Sequence, residues 1–288
     1  MFEVRDQPDP LETLALVDQG AQSSVCLAPA RGGMVTRWTL RGHEVLYLDE
    51  ATLRDPGKNV RGGIPVLFPS PGRLLGDGYT HDGKSGSLGQ HGFARNLEWK
   101  VSGRSTAEAS VASLRLVANA ATQAVFPWDF ALDYRYSLRG PVLRIEQQIS
   151  NTGSDTMPFG AGFHPYFCVA QSQKGETLIP TAATSAFDAV KQQSGAFAID
   201  LLAPEVDLRL LDHGARPCRL QTPSMDVELS GSPEYGHWVV WTLQGKDFVC
   251  VEPWTCPANA LNSGEHLLEL APGEVRTLWV EIAVTLKG

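Results

Sequence analysis

Apolar and polar residues alternate with a period of two in several stretches of this 288-residue chain. In residues 130–139, every even-numbered position carries a large apolar or aromatic side chain. Successive side chains of a β-strand point to opposite faces, so this stretch is predicted to be a strand with one buried face. Residues 143–149 and 278–284 repeat the pattern, and Gly140-Pro141 and Pro272-Gly273 beside them are typical turn sequences.

Helical patterns are scarce by comparison. Residues 10–17 fit either a helix or a strand, and no window longer than about 12 residues shows apolar positions at i, i+3, i+4 and i+7. The 28 glycines and 19 prolines suit many short strands separated by turns. The chain is therefore predicted to be all-β, an antiparallel sandwich or barrel. Because no linker or repeat interrupts it, residues 1–288 are interpreted as a single domain.

The composition of the chain disfavours some classes of binding partner. The chain is 43% hydrophobic and 19% charged, and its net charge of −8 disfavours nucleic-acid binding. No apolar run approaches the ~20 residues that a membrane span needs, and the N-terminal residues do not resemble a secretion signal. Five scattered cysteines suggest free thiols in a reducing compartment. We expect a cytoplasmic protein that binds neither membranes nor nucleic acid.

Four segments combine polar side chains with glycine, proline or aromatic residues. They are Arg61-Gly62-Gly63-Ile64-Pro65, Gln90-His91-Gly92-Phe93-Ala94-Arg95-Asn96, His164-Pro165-Tyr166-Phe167 and Val251-Glu252-Pro253-Trp254. Taken singly, each is also consistent with a structural role, such as a turn with a solvated arginine, a buried structural histidine or an edge-strand carboxylate. Three of the segments fall in residues 55–96 and 250–266, which fit the alternation poorly, and long irregular loops in compact β proteins are often functional. The apolar run from Phe248 to Val251 is predicted to be a strand that ends at Glu252.

Several kinds of site lack their usual motifs. His81 and His91 lie at a spacing that matches no standard zinc pattern, and Cys250 and Cys256 are also poorly spaced. No metal site is therefore predicted. The chain has no Gly-x-Ser-x-Gly elbow, phosphate loop or His-Glu-x-x-His helix.

Together, and in this order, the four segments resemble the aldose 1-epimerase (mutarotase) superfamily, and they are most similar to its hexose-6-phosphate mutarotase branch. Each motif alone is weak, whereas four in order between residues 61 and 254 are specific. The resemblance implies a large antiparallel β-sandwich, the galactose-mutarotase-like supersandwich, with its site in a cleft on one sheet. Two departures leave the sugar open: Ser70-Pro71-Gly72-Arg73 replaces the aromatic residues frequent in that branch, and residues 256–262 also differ.

The resemblance also implies roles for individual residues. Glu252 becomes the general base, His164 the general acid, and His91 a second catalytic-site histidine near the ring oxygen or a hydroxyl. Substrate contacts are implied for Arg61, Gln90, Arg95 and, within a degenerate motif, Asp207. Trp254, two residues after Glu252, offers an apolar platform for a sugar ring.

The residue types suit this chemistry independently. Interconverting anomers requires removal of the C1 hydroxyl proton and protonation of the ring oxygen. A glutamate of ordinary pKa ~4.3 accepts a proton at neutral pH, and a histidine near ~6.5 donates one. The expected function is an isomerase acting on a small sugar or sugar phosphate without cofactor or metal.

Two other functions remain open at this point. One is a carbohydrate-binding or sensing protein without turnover. The other is a glycoside hydrolase or lyase on a similar sandwich, although that chemistry commonly pairs two carboxylates rather than a carboxylate with histidines. Whether the sugar is phosphorylated is equally open, since Arg61, Arg73 and Arg95 suit a phosphate. The oligomeric state is not predicted.

Overall fold

Short antiparallel strands account for most of the chain. The computed structural model describes residues 1–8 and 11–287, and within them the strands are β1 (Phe2–Gln7), β2 (Thr13–Asp18), β3 (Ser23–Ala28), β4 (Met34–Leu40), β5 (His43–Glu44), β6 (Val66–Leu67), β7 (Gly78–His81), β8 (Lys84–Ser87), β9 (Lys100–Ser105), β10 (Ser110–Val117), β11 (Phe130–Arg139), β12 (Val142–Asn151), β13 (Met157–Phe159), β14 (Gly162–Phe163), β15 (Tyr166–Cys168), β16 (Ala186–Asp188), β17 (Gln193–Gly195), β18 (Glu205–Leu210), β19 (Cys218–Gln221), β20 (Met225–Gly231), β21 (His237–Leu243), β22 (Phe248–Trp254), β23 (Leu268–Leu270) and β24 (Val275–Leu286).

Helices are few and short, as the sequence predicts. The α-helices are α1 (Glu50–Arg54), α2 (Ala120–Gln123) and α3 (Ala260–Ser263), and 3-10 turns occur at Pro29–Arg31, Leu75–Asp77, Ala94–Asn96 and Gln171–Glu176. Among the described residues, no helix has the length and apolar character needed to cross a bilayer. Residues 10–17, which fit either type of element, contribute to strand β2, while residues 9 and 10 lie outside the described part.

The alternating segments of the sequence form the centre of a seven-stranded sheet. Its order is β19-β20-β24-β12-β11-β10-β9, and β11 pairs with β12, which pairs with β24. Every even-numbered residue of β11 from Phe130 to Leu138 is at most 1% exposed. The predicted strand at residues 130–139 is therefore confirmed, together with its buried face.

A second sheet, of eight strands, carries the motif around Glu252. Its order is β17-β16-β18-β21-β22-β14-β6, with β15 also paired to β22. The expectation that the regular strand ends at Glu252 is wrong, because β22 continues to Trp254. All seven residues of β22 are buried, so this strand lacks the alternation from which a strand is normally recognised.

A third sheet, β1-β2-β3-β4-β5, packs beside these two. One hydrophobic cluster joins all three sheets, since it includes Leu16, Tyr134 and Val251. The single-domain interpretation of residues 1–288 stays a prediction, which this shared core supports. The five cysteines are free thiols, as expected, and Cys218, Cys250 and Cys256 are buried.

Candidate active site

Three neighbouring strands of the eight-stranded sheet present alternate residues to one cavity. Those residues are Glu205, Asp207 and Arg209 of β18, Val239 and Trp241 of β21, and Glu252 and Trp254 of β22. The intervening residues, among them Val206, Val240 and Val251, belong to the hydrophobic core. Because successive residues of these strands point to opposite faces, one face of the sheet lines the polar cavity and the other face packs in the apolar core.

Loops from other parts of the chain close the cavity, whose volume is about 380 Å³. All eight predicted site residues line it: Arg61, Gln90, His91, Arg95, His164, Asp207, Glu252 and Trp254. This volume lies within the ordinary range for small-molecule sites. The cavity is also lined by residues that the four motifs did not indicate, namely Asn59, Val60, Arg73, Glu205, Arg209, Val239 and Trp241. The alternation in residues 205–210 is the signal from which Arg209 was recognisable as facing the same side as Asp207.

His164 and Glu252 meet because of strand pairing. Gly162 of β14 pairs with Trp254, and Tyr166 of β15 pairs with Cys250, both on β22. His164 lies between the two paired segments, at the level of Glu252. Its Nε2 is 3.3 Å from Oε1 of Glu252.

Each member of this pair is held by aromatic neighbours. Trp254 Nε1 donates a hydrogen bond to Glu252 Oε2 at 3.1 Å, which leaves Oε1 directed at His164. The His164 ring stacks on Tyr166 with centroids 4.6 Å apart and meets the edge of Trp241 at 5.7 Å. Trp254 therefore orients the carboxylate, which is a role beyond the predicted platform.

Burial shifts both members of the pair toward their uncharged forms. It raises the pKa of Glu252 well above the ordinary value, and the charge of Asp207 adds to this rise. It lowers the pKa of His164 well below its ordinary value, with further contributions from His91 and Arg95. When the pair is ionised, the carboxylate is thus a stronger base, and the imidazolium a stronger acid, than the same groups in water.

His91 occupies an unusual backbone conformation. Its φ of 69° and that of Gly92, also 69°, place both residues in the left-handed region. His91 Nδ1 contacts the carbonyl oxygen of Pro71, so the neutral ring donates from Nδ1 and keeps a lone pair on Nε2. Burial, reinforced by the charge of Arg95, lowers the pKa of His91 to about 3. The ring is therefore neutral at physiological pH.

Replacing Gly92 by Ala is expected to lower the free energy of unfolding by about 3 kcal/mol or more. A Cβ there would lie 2.1 Å from the Phe68 carbonyl oxygen, in addition to the strain of the positive φ. Gly140→Ala is the matched control, because Gly140 also has a positive φ but a Cβ there meets nothing within 4 Å. In this control, the free energy of unfolding is expected to fall by only about 1 kcal/mol. Urea unfolding of both variants measures the difference, and equal losses would show that the close approach is unimportant.

The arginines around the cavity differ in their partners. Arg95 Nη2 donates to the Gln90 carbonyl oxygen at 2.9 Å, and the Arg61 guanidinium lies 5.6 Å from the Trp241 ring centroid. Arg73 is instead paired with Asp77 at 3.1 Å. The Arg95 contact with Gln90 positions its guanidinium toward the cavity, where an anionic group would find it.

Comparisons with known proteins place this architecture in a family. The family profile described as aldose 1-epimerase matches residues 15–283. A Cenchrus ciliaris protein provisionally named glucose-6-phosphate 1-epimerase is 28% identical over 94% of this chain and 84% of its own length. The crystal structure of the Slr1438 protein from Synechocystis is 40% identical, covers 100% of both chains and superposes with a TM-score of 0.93.

A galactose mutarotase-like protein from Clostridium acetobutylicum shares only 15% identity, yet its crystal structure covers 100% of this chain and 99% of its own with a TM-score of 0.84. That likeness concerns the fold alone, and it confirms the predicted galactose-mutarotase-like β-sandwich. The family profile covers nearly the whole chain. This protein therefore belongs to the aldose 1-epimerase family.

Proposed function

We propose that this protein is an aldose 1-epimerase that interconverts the α and β anomers of a hexose or a hexose 6-phosphate. The observation that carries the proposal is the 3.3 Å approach of His164 Nε2 to Glu252 Oε1 at the wall of a cavity of about 380 Å³. Membership of the aldose 1-epimerase family supports the same conclusion.

In the ring-opening step, Glu252 accepts the proton of the C1 hydroxyl while protonated His164 donates a proton to the ring oxygen. The bond between C1 and the ring oxygen breaks, and the electrons of the former O–H bond form the C1 carbonyl. Rotation about C1–C2 then presents the other face of the carbonyl to the C5 hydroxyl. Ring closure returns both protons, so the enzyme ends as it began.

Glu252 and His164 together carry one transferable proton throughout this cycle. It is on His164 before the ring opens, and Glu252 carries one afterwards. Ring opening converts the ionised pair into the neutral pair, and the buried surroundings favour the neutral forms of both groups. Burial thus favours both proton transfers that open the ring. Positioned acid–base catalysis of this kind typically contributes ~10²–10⁴-fold.

The other predicted residues receive binding roles. His91, neutral and with Nδ1 engaged by Pro71, offers Nε2 as an acceptor for a sugar hydroxyl. Asp207 lines the same cavity and is a second acceptor for hydroxyl groups. Trp254 both orients Glu252 and forms an apolar wall.

The test is the rate at which a freshly dissolved α-sugar reaches anomeric equilibrium, followed by polarimetry. Purified protein should accelerate equilibration of glucose, galactose or glucose 6-phosphate above the buffer rate. No acceleration with any common aldose or aldose phosphate contradicts the proposal. Sugar binding by calorimetry without acceleration would indicate a sensing protein, and release of reducing sugar from oligosaccharides would indicate a hydrolase.

A phosphorylated substrate is supported by the arginines and by the provisional name of the Cenchrus ciliaris relative. Arg61 and Arg95 line the cavity, and neither forms a salt bridge with a carboxylate within residues 1–8 and 11–287. Guanidinium groups are well suited to bidentate recognition of phosphate. The net charge of −8 opposes long-range attraction of an anion, but salt screens such forces beyond ~8–10 Å.

Replacing Arg95 by Ala is expected to raise KM for a hexose 6-phosphate by about 10- to 100-fold, because a charge-assisted hydrogen bond is lost. KM for the free hexose should change by less than about threefold, since the missing contact is to phosphate. Arg95 also acts electrostatically on His164 and Glu252, so a change in kcat common to both sugars is expected. Initial-rate kinetics with the two sugars measures the difference. Arg219→Ala serves as control, because Arg219 lies on β19 of the other sheet and pairs with Glu228. Equal changes in KM for both sugars would contradict phosphate recognition by Arg95.

A further inference from the structure

Arg209 lies in one row with Glu252 across three strands. Arg209 of β18 pairs with Val239 of β21, and Val239 pairs with Glu252 of β22. All three residues line the cavity, so their side chains share one face of the sheet. Neighbouring strands are about 4.7–4.9 Å apart, which places the outer two backbones about 10 Å from each other. Both side chains line the same cavity, and the positive charge of Arg209 acts electrostatically on Glu252.

The guanidinium of Arg209 is held without a strong local partner. Its carbon lies 5.2 Å from the centroid of the Phe187 ring, which stands beside it on β16. Its Nε is buried and has no hydrogen-bond partner in the part of the chain that the structure describes. Within residues 1–8 and 11–287 the Arg209 guanidinium forms no salt bridge with a carboxylate, so no direct ion pair neutralises its charge.

Several titratable or charged groups face Glu252. They are Asp207 and Arg209 from β18, His164 and Tyr166 from the β14–β15 segment, His91 and Arg95 from the loop before β9, Arg61 from the loop after α1, and Cys250 on β22 itself. Burial and the negative charge of Asp207 oppose ionisation of Glu252, whereas the positive charges of Arg209 and Arg95 favour it. A buried carboxylate beside a second carboxylate needs such compensation to act as a base at neutral pH.

We propose that Arg209 is a positioning residue that favours the ionised form of Glu252 from its place in the same row and thereby sets the pH range in which the enzyme works. This inference rests on the proposed function of Glu252 as the base. Arg95 has a similar electrostatic effect on Glu252, but it comes from the loop before β9, whereas Arg209 lies on β18 in the same row as Glu252. Its effect is exerted through Glu252 rather than through contact with the reacting atoms.

The experiment compares pH profiles of kcat/KM for four variants on one substrate, so that any titration of the substrate is common to all. Arg209→Gln removes the charge and should move the profile toward higher pH by about one pH unit, because a lost cation increases proton affinity nearby. Arg209→Lys keeps the charge and should restore the wild-type position. Asp207→Asn removes the opposing charge and should move the profile toward lower pH. Arg219→Gln changes an arginine that is paired with Glu228 on the other sheet, and it should leave the position unchanged.

A direct titration of Glu252 makes the test independent of turnover. In protein labelled with ¹³C at the glutamate side-chain carboxyl, the signal absent from Glu252→Gln identifies Glu252. Its titration midpoint should rise in Arg209→Gln and not in Arg209→Lys. An unchanged midpoint and profile in Arg209→Gln would overturn the inference, as would a higher KM without any pH displacement, which would make Arg209 a substrate contact. An inactive wild-type protein would instead contradict the proposed function.

Discussion

Replacing Glu252 by Gln is expected to lower kcat by about 10³–10⁴-fold while the protein remains folded. The amide has nearly the shape of the carboxylate, but it cannot accept the C1 hydroxyl proton. Its oxygen still accepts the hydrogen bond from Trp254 Nε1, so the local geometry is retained. Because the substitution also removes a charge that is costly to bury, the free energy of unfolding should not fall.

Anomer equilibration rates at saturating sugar measure this effect, with thermal unfolding as the check on folding. Glu228→Gln is the matched control, since Glu228 lies on β20 of the other sheet and pairs with Arg219. That control should have wild-type kcat. Turnover of Glu252→Gln within a few-fold of the wild type would remove Glu252 from the mechanism.

Replacing His164 by Gln is expected to lower kcat by about 10²–10⁴-fold, because no other group is placed to protonate the ring oxygen. His91 is the nearest alternative, with ring centroids 5.4 Å apart, but its Nδ1 contacts the Pro71 carbonyl oxygen. Unlike His164, it has no carboxylate partner in the described residues that would stabilise a second proton on the ring. The free energy of unfolding should fall modestly, because the stacking of the His164 ring on Tyr166 is lost. His43→Gln, at an exposed position on β5, is the control.

The double variant separates an acid–base pair from two independent contributions. Groups that act as a unit are strongly non-additive, so His164→Gln combined with Glu252→Gln should be little slower than the slower single variant. Rate losses that multiply in the double variant would show that the two side chains act separately. The same equilibration assay provides all three rates.

Much of the fold was predictable from local pattern. The alternation in residues 130–139 identified β11 and its buried face, since a strand with one wet side repeats every two residues. The same reasoning failed at Glu252, which lies inside β22 rather than at its end. A central strand buried on both faces loses the polar positions that make a strand recognisable, and Glu252 is a polar residue buried within it.

Most residues of the candidate site could be predicted from the sequence, but their contacts and proton affinities could not. Arg61, His91, His164 and Glu252 were indicated by their motifs, and all line one cavity. Arg209 was not indicated, because it belongs to no motif. The alternation in residues 205–210 puts it on the same face as Asp207, but only strand pairing puts it in one row with Glu252.

By itself, the amino-acid sequence determined that the chain is mostly β, that segments such as residues 130–139 form strands with one buried face, and which residue types are available for acid–base chemistry. These properties are local, because side-chain direction and polarity repeat along a few consecutive residues. Only the tertiary structure decided that β14 and β15 pair with β22, so that His164 faces Glu252 at 3.3 Å. It also decided the proton affinities of the two groups, since burial and the charges of Asp207 and Arg209 arise from strands distant along the chain.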